Sequence, residues 1–597
     1  MIKRNAKLKY DLYKTAVIFV TVLISLKSFS QNVTDRIKLN QLGFYPNASK
    51  VAVVTGSVDA NNFFVTSTNL RDTLFKGTLS EEKQSTNSSL KTRVVDFSSM
   101  QTKGSYVVVI PGVGHSYVFK IDDKVNQPAA IVTLKGFYYQ RISMPLEEKY
   151  AGKWHRSVGH PDNVVYIHPS AADNQRAAET IILSPGGWYD AGDYNKYIVN
   201  SGITMGTLLS AYEDFSLYYD TLRVNIPESK DAIADILNEA IYNLRWMLTM
   251  QDINDGGVYH KCTNASFDGM VMPGITKAPR YVVQKGTAAT LDFAAVTAQA
   301  GRILAKYKKQ LPGLADSCMK AAANAWQWAL KNPSIEYDQQ KLNASTDPDI
   351  ATGAYGDRSF YDEWLWAAAE LFVTTGNKNY YDVVTKQTKD SISLPTWSNV
   401  GTLGYYTLLR FKEKLPAYTQ TNINKIQQGL IQFADAFISK VSSNAFQTIM
   451  GQSRRDFNWG SNSNAGNQGI ALINAYSLTN NKKYIDYALT NLDYLLGRNA
   501  TGYCFVTGIG SKSTMHPHHR PSIADGVTEP VPGLLAGGPN PGKQDNCQYE
   551  FSEPETTYAD VDCSYSTNEI AINWNAPIVY LANAIEALQQ KAGYIKK

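Results

Sequence analysis

Two kinds of hydrophobic periodicity divide the chain. Between residues 33 and 121, short apolar runs alternate with polar turn residues, a pattern typical of β-strands. From residue 129 onward, apolar residues recur three and four positions apart, as they do on one face of an α-helix. The polar stretch 122–128, which ends in a proline, is predicted to link the two regions.

The first region predicts a small β-sandwich. Its strands are expected at 36–40, 50–54, 62–66, 72–76, 91–97, 105–110 and 116–121. Pro111 and Gly112 separate the last two strands, as in a hairpin. Seven short strands at this spacing indicate a sandwich of immunoglobulin type over residues 33–122.

The second region predicts a mainly α-helical domain over residues 128–597. Its helices are expected at 129–141, 203–218, 233–248, 287–304, 315–330, 360–375, 378–388, 400–411, 423–441, 465–478, 482–496 and 568–591. Twelve amphipathic helices in one unit favour a closed ring of helical hairpins, the (α/α)6 barrel. A solenoid is the alternative, but no sequence repeat of fixed period supports it.

Composition bears first on cellular location. Residues 1–30 have a basic start, then an apolar run at 15–26, and then Ser28 and Ser30 as small residues before a cleavage point. This is the pattern of a signal peptide, with a short membrane anchor as the alternative. The apolar run is too short to span a bilayer, which needs about 20 residues. We therefore expect an exported protein, either periplasmic or secreted.

Charge excludes one class of partner. The whole chain carries a formal charge of +5, but the first thirty residues hold six basic residues and one acidic residue. The remaining 52 basic and 52 acidic residues cancel. Because no basic stretch is left, nucleic-acid binding is not expected. No other segment is long and apolar enough to predict a membrane span, and we expect a monomer.

Two acidic residues lie close together in a loop rich in glycine and aromatic residues. Asp190 and Asp193 stand three positions apart, with only Ala191 and Gly192 between them and Tyr189 beside them. Such a pair can hold one water molecule between two acceptors, which suits a general base. A helix cap or a calcium loop is the alternative for an isolated Asp-x-x-Asp.

Two further motifs carry candidate chemistry. In the segment 516–521, His518 and Arg520 indicate a polar ligand rich in hydroxyl groups, with a structural role as the alternative. In the segment 558–577, Asn568 is a good helix cap, so Glu569 is expected in the first turn of the last helix. A glutamate there serves the helix dipole, or it becomes a protonated acid if aromatic neighbours bury it.

Together these motifs resemble the signatures of glycoside hydrolase family 9, the inverting, cellulase-type enzymes. The pattern of that family around its acid is met by Tyr558, Asp560, Tyr565, Glu569 and Asn575. The Asp-Ala-Gly-Asp and His-x-Arg motifs are also present. The sequence Asn-Gln-Leu-Gly-Phe-Tyr-Pro at 40–46 resembles the start of the immunoglobulin-like module that precedes the barrel in one branch of the family.

The resemblance implies a role for each matched residue. Asp193 would be the general base, Asp190 would help to position the attacking water, and Glu569 would be the general acid. The expected substrate-binding residues are Tyr189, His260, Trp397, His518, Arg520 and Trp574. Trp574 stands where the family often has tyrosine, so contacts near the cut are expected to differ.

The resemblance also bears on metal binding. The branch often has a zinc site of two cysteines and two histidines, but the segment 141–168 has His155, His160 and His168 and no cysteine. Zinc is therefore not expected, no cofactor is required, and calcium is possible without assignable ligands.

The five cysteines are expected to be small buried residues, with a Cys547–Cys563 pair as the alternative.

The function predicted from the resemblance is endo-acting hydrolysis of a β-1,4-glucan. Cellulose, mixed-linkage glucan and xyloglucan share that backbone, so the substrate among them stays open. Two alternatives are an exo-acting β-glucosidase or β-glucosaminidase of the same fold, and a non-catalytic glycan-binding protein.

Overall fold

The structure is a computed structural model that describes residues 32–596. The predicted signal peptide at residues 1–30 lies outside the described residues and stays a prediction. Within residues 32–596, no helix combines the length and the apolar character that crossing a bilayer requires.

Strands of the N-terminal region form two sheets around one core. The strands are β1 Ile37–Lys38, β2 Gly43–Phe44, β3 Val51–Thr55, β4 Asn62–Ser67, β5 Thr73–Thr78, β6 Lys83–Gln84, β7 Lys91–Asp96, β8 Gly104–Ile110, β9 Gly114–His115 and β10 Phe119–Ile121. One sheet has the order β1-β3-β7-β6, and the other has the order β2-β10-β8-β4-β5 with β9 beside β8. Phe63 and Val65, alternate residues of β4, share a buried core with Val54 and Val95. The predicted immunoglobulin-like sandwich is confirmed.

The C-terminal region contains twelve helices of ten or more residues among those described. They are α1 Gln127–Tyr139, α2 Ile198–Tyr219, α3 Asp235–Thr249, α4 Thr287–Leu304, α5 Leu314–Lys331, α6 Tyr361–Thr375, α7 Lys378–Gln387, α8 Gly401–Arg410, α9 Gln420–Ile438, α10 Ser461–Thr479, α11 Lys482–Leu495 and α12 Ile572–Leu588. Shorter helices occur at Glu148–Ala151, Gln339–Asn343, Arg520–Ala524 and Tyr565–Asn568. Single 3-10 turns occur at Gly152–Trp154, Pro169–Ala171, Ala305–Tyr307, Lys412–Lys414, Ala417–Thr419, Val441–Ser443 and Arg454–Asp456.

Even-numbered and odd-numbered helices occupy different layers of a barrel. The even-numbered helices pack in sequence from α2 to α8, α10 packs on α12, and α12 packs against α2, while α9 contacts both α8 and α10. Residues of α4 are buried on nearly all sides, whereas α5 and α9 have one buried and one exposed face. This difference follows from composition, because the inner helix α4 is rich in alanine and threonine and allows close approach on every side. The predicted (α/α)6 barrel is confirmed.

The sandwich packs directly on the barrel. Asn40 Nδ2 donates to Asp493 Oδ1 at 2.8 Å, and both side chains are buried. Gln41 Oε1 accepts hydrogen bonds from the backbone N–H groups of Ser511 and Lys512, each at 2.8 Å. The sandwich therefore contacts the long connection between α11 and α12, which also carries the candidate acid.

A third sheet, not predicted from the sequence, is formed by strands that fall between α1 and α4 along the chain. Its strands are β11 Val165–Ile167, β12 Ile181–Ile182, β13 Lys196–Tyr197, β14 Lys261–Asn264 and β15 Arg280–Val282, in the order β12-β11-β15-β14-β13. In β13 and β14, Tyr197 stands opposite Lys261. Strands of two to four residues give too short a pattern to recognise in the sequence.

The start of the last helix differs from the prediction. The Asn568 side chain does not cap it, because Asn568 Nδ2 donates to His516 O at 2.6 Å. Glu569 has extended backbone angles, and α12 begins only at Ile572. The extended segment 569–571 is held by three β-bridges to distant parts of the chain: His518–Glu569, Ala536–Ile570 and Ala191–Ala571. Glu569 is therefore placed by long-range pairing and not by a helix turn.

The cysteine expectation is wrong for one pair. Cys547 and Cys563 form a disulfide, with their Cα atoms 6.0 Å apart. Cys262, Cys318 and Cys504 are free and buried, as expected. The prediction missed the pair because the sequence does not show that the two cysteines meet.

Candidate active site

A cleft of about 430 Å³ brings together three carboxylates from distant parts of the chain. Asp190, Asp193 and Glu569 all line it. The first two belong to the loop before β13, and the third precedes α12. The loop of the aspartates also lies close to His518, which pairs with Glu569, because a Cβ atom on Gly192 would come within 2.0 Å of the His518 carbonyl oxygen. The glycine of Asp-Ala-Gly-Asp is therefore required by this contact.

Asp190 is buried and is held by neutral donors. Asn200 Nδ2 donates to its Oδ1 at 2.7 Å, and the Tyr355 hydroxyl donates to its Oδ2 at 2.9 Å. Burial, together with repulsion by Asp193, raises the pKa of Asp190.

Asp193 has a more cationic environment. Burial raises its pKa, but hydrogen bonds from Asn195 Nδ2 at 2.6 Å and from the Tyr197 hydroxyl at 3.1 Å oppose that rise. The charge of Arg520 opposes it as well. Of the two aspartates, Asp193 therefore has the surroundings that favour the ionised form.

Glu569 is half-buried at the wall of the cleft, and its surroundings favour the protonated form, whereas those of Asp193 favour the ionised form. Burial and the negative charges of Asp193 and Asp190 raise the pKa of Glu569 well above its usual range. A raised pKa favours the protonated form of Glu569. One cleft thus contains a carboxyl group whose surroundings favour ionisation and another whose surroundings favour protonation, which is the pairing that general base and general acid catalysis needs.

His518 and Arg520 lie next to the carboxylates. His518 Nδ1 is 2.6 Å from the Asp562 carbonyl oxygen, so Nδ1 carries the proton and Nε2 is left as an acceptor. Burial lowers the pKa of His518, so the ring is neutral. Arg520 Nη1 donates to Gly192 O at 2.8 Å, which fixes the loop of the two aspartates.

Four of the six predicted sugar-binding residues are not among those that line the cleft: His518 and Arg520 lie beside the carboxylates, and Tyr189 and His260 are buried in the protein. Tyr189 is 1% exposed, and its hydroxyl lies 3.0 Å from His160 Nδ1. His260 is also 1% exposed, stacks on the Tyr337 ring at 3.9 Å, and places Nε2 2.7 Å from Ala354 O. The family resemblance suggested both residues as substrate contacts, but the sequence did not show that their side chains turn into the protein.

The two predicted tryptophans line the cleft. Trp397 packs edge-on against Tyr355, with ring centroids 5.3 Å apart, and it is partly exposed. Trp574 lies against Gly460, where a Cβ atom would come within 2.4 Å of the indole Nε1. Aromatic faces of this kind offer apolar surface to the flat faces of sugar rings.

Several cleft residues were missed in the sequence. Tyr355 and Asn200 hold Asp190, and Tyr197 holds Asp193, yet none of them belongs to a motif with the aspartates. Phe267 and Trp459 also line the cleft and are 48% and 44% exposed. Exposed aromatic residues in loops were the available signal, but such residues are common in this tyrosine-rich chain.

No metal site can be assigned. Among residues 32–596, no three His, Cys, Asp or Glu side chains converge as metal ligands would. His160 and His168 are buried and hydrogen-bonded to protein oxygen atoms, and His155 is exposed. The fully buried carboxylates Asp292 and Glu363 have no hydrogen-bond partner, but they do not form a converging ligand set. The predictions on zinc and calcium stay predictions.

Comparison with known proteins gives a consistent result across nearly the whole chain. A family model for glycosyl hydrolase family 9 matches residues 128–582, and a model for the cellulase N-terminal ig-like domain matches residues 32–115. The chain is 45% identical over 556 residues to the xyloglucan-specific endo-beta-1,4-glucanase BoGH9A of Bacteroides ovatus, which covers 93% of this chain and 94% of that protein.

More distant relatives agree. Endoglucanase D of Acetivibrio thermocellus is 32% identical over 575 residues, covering 94% of this chain and 86% of that protein. Among solved structures, a Bacteroides ovatus GH9 protein superposes with a TM-score of 0.89 at 44% identity, covering 93% of this chain and 99% of that chain.

Proposed function

The chain belongs to glycosyl hydrolase family 9, and from this membership we propose that it cuts xyloglucan internally, with inversion, using Glu569 as acid and Asp193 as base. It is a glycoside hydrolase of the endo-β-1,4-glucanase type. The observation that carries the proposed roles is the meeting of Asp190, Asp193 and Glu569 in one cleft. Endo action is proposed over exo action because the endoglucanases at 45% and 32% identity are more similar to this chain than a cellulose 1,4-beta-cellobiosidase at 30% identity.

The proposed reaction uses the two proton states described above. Glu569 donates its proton to the glycosidic oxygen as the bond to the sugar breaks. Asp193 accepts a proton from a water molecule that attacks the opposite face of the sugar. Inversion requires room for that water, so the two carboxyl groups should be about 6.5–9.5 Å apart when substrate is bound. His518 Nε2, as a free acceptor, would bind a sugar hydroxyl.

Xyloglucan is proposed over other β-1,4-glucans for two reasons. The protein with 45% identity is xyloglucan-specific by name, whereas the endoglucanase at 32% identity is more distant. The cleft lining also includes two partly exposed aromatic side chains, Phe267 and Trp459. Partly exposed aromatic surface can contact branches on the backbone as well as the backbone itself.

A substrate panel tests the proposal. Initial rates and product sizes should be measured on xyloglucan, carboxymethyl cellulose and mixed-linkage glucan. We expect the highest kcat/KM on xyloglucan, with oligosaccharides as early products. A higher kcat/KM on either unbranched glucan would refute the substrate, and release of single sugars from chain ends would refute endo action.

Stereochemistry and variants test the roles. Proton NMR of the freshly released reducing end should show the α anomer first. Asp193→Asn and Glu569→Gln should each lower kcat on xyloglucan by roughly 100- to 10,000-fold, because general acid and base groups contribute that much. Full activity in either folded variant would exclude its assigned role.

A further inference from the structure

A buried lysine behind the aspartate pair is not used in the reaction above. Lys261 is fully buried in β14. Its ammonium donates to Gln339 Oε1 and Gly353 O, each at 2.7 Å, and to Thr352 Oγ1 at 3.1 Å. All three acceptors are neutral. Because burying an ammonium without a carboxylate partner costs free energy, its presence here calls for a physical reason.

A chain of hydrogen bonds leads from this lysine to the candidate base. Thr352 Oγ1 lies 2.7 Å from Thr263 Oγ1, and the Thr263 hydroxyl reaches Asn195 Oδ1 at 3.0 Å. Asn195 Nδ2 then donates to Asp193 Oδ2 at 2.6 Å. Every side chain in this chain is buried, so water does not screen the interaction between its ends.

The orientation of Asn195 is fixed by two groups that can only donate. The backbone N–H of Asn264 reaches its Oδ1 at 2.9 Å, and Arg280 Nη1 reaches the same atom at 3.3 Å. Because neither group can accept a hydrogen bond, the atom they contact must be the oxygen. The amide nitrogen of Asn195 therefore faces Asp193.

At the Lys261 end of this series, the hydrogen bonds run in the same donor-to-acceptor direction. The ammonium of Lys261 cannot accept, so Thr352 Oγ1 accepts from it and can turn its own proton toward Thr263. Thr263 in turn donates toward Asn195 Oδ1 at 3.0 Å and shares its proton with Asn264 O at 2.8 Å, and the last donor faces Asp193. Hydrogen bonds aligned in one direction strengthen one another and stabilise a negative charge at the accepting end.

Building on the proposed function, we propose that Lys261 is a positioning residue that keeps Asp193 ionised and oriented as the general base, acting through Thr352, Thr263 and Asn195. The interaction is reciprocal. Burial lowers the pKa of Lys261 to about 7, and the negative charge of Asp193 opposes that lowering. The lysine therefore retains its charge in the acidic range, where Asp193 must lose its proton.

Other groups facing Asp193 must be separated from Lys261 in any test. They are Asp190 on the same loop, Tyr197 on β13, Tyr355 on the loop before α6, and His518, Arg520 and Glu569 on the connection before α12. Tyr197 is the one that also contacts the lysine end, since its hydroxyl bonds to Thr352 and its ring centroid lies 5.5 Å from Lys261 Nζ. A shift that also occurs in Thr263→Val therefore reports on the hydrogen-bond chain from the lysine and not on Tyr197.

The test is the pH dependence of kcat/KM in the full chain. Lys261→Met removes the charge and keeps the length of the side chain. We expect the acidic limb to move upward by about 1 pH unit, as the loss of a nearby favourable charge implies. Thr352→Val interrupts the series of hydrogen bonds but leaves the positive charge of Lys261 in place. The acidic limb of this variant should therefore move in the same direction, by a smaller amount.

Lys285→Met is the matched control. Lys285 is also buried, but it pairs with Asp252 and Asp255, and it has no link to Asp193. Its loss should lower the melting temperature and leave the acidic limb in place. A Lys261→Met enzyme with lower activity but an unmoved acidic limb would show a purely structural role and overturn the proposal.

If Lys261→Met does not fold, the acidic limbs of Thr352→Val and Thr263→Val test the proposal instead. An unmoved acidic limb in both folded threonine variants would overturn it. The proposed function is checked separately by Asp193→Asn. If Asp193→Asn is inactive while Lys261→Met shows no shift, only the role of Lys261 fails.

Discussion

Ala191 and Ala571 form an antiparallel β-bridge that ties the loop of the two aspartates to the segment of the glutamate. The neighbouring Ile572 N–H donates to Asp190 O at 2.8 Å and extends this contact. The two alanines lie in segments far apart in the chain, yet their backbones set the relative position of the segments that carry Asp193 and Glu569.

Tyr355→Phe should impair catalysis more than binding. The change removes the donor to Asp190 Oδ2 and keeps the ring that packs on Trp397. We expect kcat on xyloglucan to fall roughly 10- to 100-fold, because a hydrogen bond to a charged group contributes about 1.5–3 kcal/mol. Tyr117→Phe, which removes a tyrosine hydroxyl in the sandwich, should leave kcat unchanged. Equal kcat in both variants would contradict the role of Tyr355.

The pH profile of kcat/KM should be a bell with a late alkaline limb. The proposed reaction requires Glu569 protonated, and burial with the charges of Asp193 and Asp190 raises the pKa of Glu569 well above its usual range. Activity therefore persists through neutral pH and declines only when Glu569 loses its proton. The pKa of Asp193 is also raised by burial, so the acidic limb should lie above pH 4. An alkaline decline already near pH 5 would contradict the assignment.

The leaving group should decide how much Glu569 matters. Glu569→Gln cannot protonate a sugar oxygen, but a dinitrophenyl leaving group needs no protonation. We expect the loss in kcat to be roughly 1,000-fold on xyloglucan and about 10-fold or less on a dinitrophenyl cello-oligosaccharide. Asp193→Asn is the control, since loss of the base should impair both substrates. Similar losses of the Gln variant on the two substrates would contradict a role as acid.

Asp292→Asn should stabilise the barrel at neutral pH. Both carboxyl oxygens of Asp292 are buried without partners, and burial with the charges of Asp362 and Asp357 raises its pKa. The folded state therefore keeps a proton that the unfolded chain releases near pH 4, and stability is lost as pH rises above that value. The variant should gain on the order of 2 kcal/mol at pH 7, since one pKa unit corresponds to about 1.4 kcal/mol.

Thermal unfolding between pH 4 and pH 8 checks this expectation. The difference in melting temperature between variant and parent should grow with pH. A difference independent of pH would contradict the protonated state of Asp292. Stabilisation of the parent by added calcium that the variant lacks would instead identify this position as a calcium ligand.

Asn40→Ala should weaken the contact between sandwich and barrel. Asp493 is buried, and burial raises its pKa to about 6 against the charge of Arg498 and the hydrogen bond from Asn40. Losing that donor should lower the free energy of unfolding by about 1–3 kcal/mol, the cost of an unsatisfied buried group. Asn69→Ala, at an exposed turn of the same sandwich, should cost little. Equal melting temperatures of Asn40→Ala and the parent protein would contradict a stabilising role of the Asn40–Asp493 hydrogen bond.

Removal of the disulfide should affect substrate binding as well as stability. Cys563 follows Asp562, whose carbonyl oxygen holds His518 Nδ1 at 2.6 Å. In the double variant Cys547→Ser and Cys563→Ser we expect KM to rise and the free energy of unfolding to fall by about 3 kcal/mol. Cys318→Ala, a free buried cysteine, should lower stability without raising KM. An unchanged KM in the double variant would contradict the link to His518.

Local patterns in the sequence determined the two domains and most of their elements. Periods of two and of about 3.6 residues depend only on neighbours along the chain, so they predicted seven of the ten described sandwich strands and the twelve barrel helices. The two-residue strands β2, β6 and β9 were missed because they are too short to show a period. The motifs around Asp190, Asp193 and Glu569 were likewise visible in the sequence, because each consists of adjacent residues.

Only the tertiary structure decided how these residues are held. The extended backbone at Glu569 comes from β-bridges to three distant segments, and the donors to Asp190 come from α2 and the loop before α6. Whether His260 or Tyr189 faces the cleft depended on packing by other elements. Burial and long-range pairing are properties of the folded chain, and no local pattern contains them.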